Sequence, residues 1–237
     1  MNLLQILNSV LAESSFLEKG SFAGSNDPDD KQMVAIANRA AREIRDFYDW
    51  SAMASTFTLT IIPFAGKSPV PQSLYDLPDD YRSLVPDSVW ETDGSRKADL
   101  PVPRNRWFMY KYSSLTDSGT MRARIYGNQI EVNEPNLGES FQMEYISKYT
   151  VQDSDLSYKE LFNEDTDTFR LNDNILILGV QAWWARAKMM PMAEQWYDDY
   201  QVKLVEAVGR DNAGQTIGGN AFSIDRRSPY YPLYRRT

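Results

Sequence analysis

The chain has 237 residues, 42% hydrophobic and 24% charged, with 33 acids against 25 bases and a net charge of −8. That is enough apolar material for a sizeable core in one or two domains, and the acidity argues against tight sequence-neutral binding to nucleic acid. Cysteine and histidine are both absent, which excludes disulfides, thiolate nucleophiles, zinc–thiolate sites, Ser-His-Asp triads and most transition-metal sites.

The start of the chain lacks the basic region of a signal peptide, and no apolar run approaches the roughly 20 residues of a membrane span, so no membrane partner is expected. Leu3, Leu7, Val10 and Leu11 fall on one face of a helix over 2–12, with Asn2 as its cap. Residues 13–26 are small and polar and read as a loop. Asp27-Pro28-Asp29-Asp30 starts a second helix. Asp27 caps it, Pro28 suits its first position, and the two following acids favour the positive end of the dipole. That helix runs to about Trp50, with Met33, Ile36 or Ala37, Ala40, Ile44 and Phe47 as a core stripe.

Residues 57–63 are strand-like, and prolines from Pro63 to Pro86 then punctuate a region of turns and short strands. The pattern predicts one helical turn over 76–82, a strand at 89–91 before an Asp93-Gly94 turn, an extended stretch at 100–103, and either a strand or a short helix over 107–112. Arg124-Ile125-Tyr126-Gly127-Asn128-Gln129-Ile130-Glu131 reads as a hairpin around a two-residue turn. Its register pairs Ile125 with Ile130 and Ala123 with Val132 on one face, and Tyr126 with Gln129 and Arg124 with Glu131 on the other. A third alternating run, Phe141, Met143 and Tyr145, extends this into an expected meander.

Residues 151–173 hold seven acids against Lys159 and Arg170, and predict an exposed loop with one helical turn at 158–162. Asn172 or Asp173 caps a nearly all-apolar helix through Ala187, packed on more than one side. Pro191 breaks it; Trp196, Tyr200 and Leu204 mark another helix, which Gly209 is placed to end. The fold class is therefore α+β. A helical bundle of the N- and C-terminal helices (1–52 and 172–209) carries a β-rich insertion (53–171) and an extended C-terminal tail (210–237).

Few constellations carry chemistry. Asp165-Thr166-Asp167 faintly resembles the start of a calcium loop, but Arg170 stands where glycine is needed and Ile177 where the closing carboxylate belongs. Glu13, Glu18 and Glu139 are candidates for paired-carboxylate hydrolysis, with no local pattern to single them out. Gly218-Gly219 lacks the strand–helix context of a phosphate cradle. No cofactor and no metal are expected. Residues 96–124 hold seven bases against two acids. This basic segment and the acidic one at 151–173 are read either as solvated faces or as complementary patches on neighbouring subunits, with Arg104 and Arg106 meeting Asp165 and Asp167. The tail carries Phe222, Arg226, Arg227, Tyr230, Tyr231, Tyr234, Arg235 and Arg236, with Pro229 and Pro232 between them. Tyr and Arg dominate binding hot spots, so this segment reads as one that docks extended onto a partner.

Several stretches resemble the head-to-tail adaptors of tailed bacteriophages, of the head-completion or tail-tubular-protein-A type. They are Tyr75-Asp76-Leu77-Pro78-Asp79-Asp80-Tyr81-Arg82 running to Trp90; the hairpin with Glu144-Tyr145-Ile146-Ser147-Lys148-Tyr149; Trp50 near the end of a capped helix; and Trp183-Trp184 in the penultimate helix. The likeness spans most of 28–209. It implies a homo-oligomeric ring, usually dodecameric, assembled in the host cytoplasm and seated at the virion neck. Such a ring sits under the portal protein, extends the DNA channel with transient non-specific contact to the genome, and offers a platform to a tail tube or nozzle protein. The C-terminal tail would embrace the portal. On this reading the protein is structural and not an enzyme; the alternative is a virion-associated peptidoglycan hydrolase working through carboxylates.

Overall fold

The computed structural model of the protein describes residues 1–63, 73–94, 96–112, 121–133 and 137–215. In chain order the elements are α1 (Leu3–Glu13), α2 (Pro28–Phe47), a 3-10 turn (Ser51–Met53), β1 (Ala54–Thr60), β2 (Leu74–Asp76), β3 (Tyr81–Leu84), β4 (Trp90–Glu91) and α3 (Arg104–Tyr112). They continue with β5 (Arg122–Tyr126), β6 (Gln129–Asn133), β7 (Ser140–Ser147), β8 (Val151–Gln152), β9 (Tyr158–Lys159), β10 (Thr168–Phe169), α4 (Asp173–Ala187) and α5 (Ala193–Gln215). Helices together with antiparallel sheets make the class α+β. Two compact units result: Met1–Met53 with the chain from Tyr149 onward, and Ala54–Lys148. Residues 149–171, expected in the insertion, thus lie in the helical unit.

In the helical unit the caps follow local chemistry. Asn2 and Gln5 form a reciprocal capping box on α1, and Asp27 accepts from the Asp29 amide at the start of α2. Asn172 caps α4 through the Asn174 amide. The indole of Trp50 donates to the Ile44 carbonyl at 2.7 Å, satisfying an acceptor left open at the end of α2. α4 contacts α1, α2 and α5, which is why it has almost no polar face. Gly179 lets the helices close in: a Cβ there would stand 3.1 Å from the Tyr200 ring and 3.3 Å from the Ala40 methyl.

Two expectations fail in this unit. Gly209 does not end α5, which continues to Gln215. Its cost against alanine is only about 1 kcal/mol, and the helix is held just beyond it, where the Asp211 carboxylate accepts from the Ser51 amide at 3.0 Å and hydroxyl at 2.5 Å. Residues 151–173 are not an open loop with a helical turn: β8 pairs with β9 and β10 in a small antiparallel sheet over buried Val151, Phe162 and Phe169. Two-residue strands are too short for alternation to be visible in sequence. This segment also holds α1, whose Leu3 and Leu4 amides donate to the Asp167 and Asp165 carbonyls at 2.7 and 3.2 Å.

In the second unit the hairpin β5–β6 has the expected register in every pair. Of its two turn residues only Gly127 takes positive φ, 62°, as Gly at the first central position allows. The meander does not form. β7 leaves the hairpin and pairs from Ser140 to Ile146 with β1, while β3 and β4 share its other edge; in the hairpin, β6 pairs on its outer side with β2. β7 points Phe141, Met143 and Tyr145 inward and Gln142 and Glu144 outward. Both sheets contribute to one cluster that includes Leu59, Ala123, Ile130, Val132, Phe141 and Met143. The predicted helical turn at 76–82 is instead a tight turn between β2 and β3, closed by the Tyr81 amide on the Pro78 carbonyl at 2.9 Å. Residues 104–112 resolve as helix α3 rather than strand.

Candidate functional site

The basic segment is divided by its surroundings. Arg96 is clamped by Glu91 at 2.8 Å and Glu139 at 2.6 Å, and Lys97 pairs with Asp87. Glu131 takes both Lys111, at 2.7 Å, and Arg124, at 2.5 Å. Burial works against ionisation of Glu131, but the hydrogen bonds from Lys111 and then Arg124 outweigh it and hold its pKa below the ordinary value. The Arg124 guanidinium is also centred 5.0 Å from the Trp107 ring, 5.6 Å from Phe108 and 5.1 Å from Tyr126. Arg104 and Arg106, on the first turn of α3, are exposed, and among the described residues neither forms an ion pair. Two cations at a helix N-terminus oppose the dipole, so among the described residues nothing in the unit explains them as stabilising.

Around them lies a groove of about 420 Å³, lined by Val102, Arg104, Phe108, Arg124, Ile125 and Tyr126. Phe108 is 45%, Met109 50% and Tyr126 64% exposed. Aromatic and arginine side chains on a rigid helix–hairpin frame are the composition of a binding hot spot.

The acidic segment has a different character. Asp167 is wholly buried. Its Oδ2 accepts from the Asn163 and Glu164 amides, both at 2.9 Å, and its Oδ1 lies 2.7 Å from Lys159. Asp165 accepts from the Ser21 hydroxyl at 2.5 Å and the Phe22 and Ala23 amides at 3.0 and 2.9 Å, tying down the connection between α1 and α2. Burial raises its pKa, but the Ala23, Ser21 and Phe22 donors prevail and depress it. Asp165 and Asp167 are therefore structural acceptors, and the carboxylates this segment turns outward lie elsewhere, Asp155 among them.

A feature the sequence reading missed is the tip between β8 and β9. Asp153 accepts from the Asp155 and Ser157 amides at 2.9 and 3.0 Å and from the Ser157 hydroxyl at 2.6 Å. The Ser157 hydroxyl is the main reason its pKa lies below the ordinary value. Leu156 at the tip has φ 64° and is 73% exposed. Asp-Ser-Asp announces a turn, but nothing in the sequence says that leucine takes its left-handed position.

The residues expected from sequence to dock, Phe222, Arg226, Arg227, Tyr230, Tyr231, Tyr234, Arg235 and Arg236, lie with Gly218-Gly219 outside the described residues. The SU10 adaptor protein family matches residues 1–221, which takes in both compact units. The chain belongs to that family of phage head-to-tail adaptors. No curated protein matches it. As an SU10 adaptor it is a phage structural protein, and the family implies contact with portal and tail proteins at the virion neck.

The carboxylates considered for hydrolysis in this SU10 adaptor fall in both units. Glu13 and Glu18 are exposed in the helical unit, and Glu139, in the other unit, is paired with Arg96. Among the described residues, the carboxylates that depart from the ordinary value — Asp27, Glu131, Asp153, Asp165 and Glu206 — move down. Among the described residues no group of acids is arranged to hold a metal ion, and no helix is long and apolar enough to cross a membrane.

Proposed function

We propose that the protein forms a closed homo-oligomeric ring, dodecameric by the family resemblance, that joins the portal to the tail and extends the DNA channel. The observation that carries this is the family match over residues 1–221, which spans both units rather than one module. The helical unit and the β-rich unit are each internally bonded, so each is a rigid part for assembly. A net charge of −8 suits a channel that DNA must traverse without sticking. Attachment to the portal runs through the C-terminal segment, with Phe222, Tyr230, Tyr231 and Tyr234 as anchors and Arg226, Arg227, Arg235 and Arg236 as charge partners. The lower face of the ring receives a tail tube or nozzle protein.

Deleting residues 220–237 tests the attachment. The truncated protein is expected to keep its melting temperature and lose co-sedimentation with portal rings. Undiminished portal binding would remove the tail from this reading. Negative-stain images of the full chain with its portal should show a ring seated on the portal axis.

A further inference from the structure

Two surfaces, one in each compact unit, are complementary in charge and in shape class. The first is the α3–hairpin groove. Its frame is fixed, because Arg124 is held by Glu131 and stacked among Trp107, Phe108 and Tyr126. Arg104 on its rim and Arg106 on the same helical turn are exposed, with no ion pair among the described residues. The second is the β8–β9 tip. Here the structure is organised to present, rather than bury, an apolar side chain. Beyond the three bonds to the Asp153 carboxylate, the Leu156 amide donates to the Asp153 carbonyl at 3.2 Å, the Asp153 amide donates to the Ser157 carbonyl at 3.0 Å, and the Gln152 side chain donates to the Leu156 carbonyl at 3.3 Å. A leucine is held here in the left-handed region and left 73% exposed, beside the exposed carboxylate of Asp155.

We infer that the β8–β9 tip of one copy docks into the α3–hairpin groove of a second copy, with Leu156 against the groove aromatics and the exposed Asp155 facing Arg104 and Arg106. The occupant is a second copy because the tip supplies what complements the groove: negative charge opposite two exposed cations that have no ion pair among the described residues, and a preorganised apolar knob that loses little entropy on binding. The contact joins different surfaces of the two copies, so repetition produces a ring or a helix rather than a closed dimer. This inference rests on the ring reading and names the contact that builds it. It replaces the pairing expected from sequence, since Asp165 and Asp167 are committed inside their own unit.

The test uses three full-length variants and sedimentation velocity, alone and with portal rings. Arg104→Glu/Arg106→Glu reverses the groove. Ser154→Lys/Asp155→Lys makes the tip net positive and leaves Asp153 and its turn intact. Leu156→Asn removes the knob with a residue that tolerates the same backbone. Each variant is expected to melt like wild type and to assemble at least tenfold more weakly. An equimolar mixture of the two charge variants should recover assembly, since every groove then finds a tip of opposite sign. If wild type assembles and the variants assemble equally well, or the mixture does not recover, the contact is elsewhere and the ring reading stands. Wild type that stays monomeric even with portal rings overturns the ring reading and this contact together.

Discussion

The acidic segment at 151–173 and the basic segment at 96–124 look like mirror images in sequence, and the fold uses them in opposite ways. In the acidic segment the key charges turn inward. Asp167 is wholly buried and Asp165 receives three donors from the connection between α1 and α2. In the basic segment Arg96, Lys97, Lys111 and Arg124 are matched within their own unit, while Arg104 and Arg106 are left to solvent. A carboxylate serves easily as an internal acceptor because backbone amides are available at every turn. A guanidinium needs acceptors in a planar arrangement and otherwise stays outside. A charge run therefore does not reveal which of its members are available to a partner.

Substitutions sharpen this contrast. The largest effect is expected at Asp167→Ala, which strands the Asn163 and Glu164 amides and leaves the half-buried Lys159 ammonium without its carboxylate, with the Asn163 side chain as acceptor; a loss of about 3 kcal/mol should appear in chemical denaturation. Asp165→Ala should cost about 2 kcal/mol and raise hydrogen exchange at Phe22 and Ala23, with α4 unaffected. The pKa of Asp165 is depressed, so its contribution is complete above the ordinary value of 3.8 and is lost as pH falls through the folded value. The difference in stability between wild type and Asp165→Ala should therefore shrink in acid; a difference that grows there would contradict the assignment. Glu131→Gln in the other unit should cost about 1 kcal/mol, because Lys111 and Arg124 both reach solvent in part. Arg104→Ala and Arg106→Ala should change stability by less than about 0.5 kcal/mol, or raise it slightly by relieving the helix dipole. A large loss at either would show that these arginines are structural after all.

Legibility followed the range of the interaction. The cap at Asn2, the Asp27-Pro28 helix start and the whole register of the hairpin are contacts within a few residues, and each formed as read. The β8–β10 sheet was hidden because its strands are two residues long. The candidate surface was half visible. Arg104 and Arg106 stood out as charge, but their freedom depends on where Glu91, Glu131 and Glu139 lie in space. Leu156 carried no signal, since its exposure results from a network centred on Asp153.

By itself the sequence determined that the protein is α+β, where its main helices start, how its hairpin pairs, and which family it resembles. These depend on local periodicity, cap chemistry and composition. Only the tertiary structure decided that β7 pairs with β1 rather than with the hairpin, that residues 149–171 belong to the helical unit, and which charges are spent internally. Each of those is a competition between partners far apart in the chain, and the outcome is set by the shared core they bury rather than by the preference of any one segment.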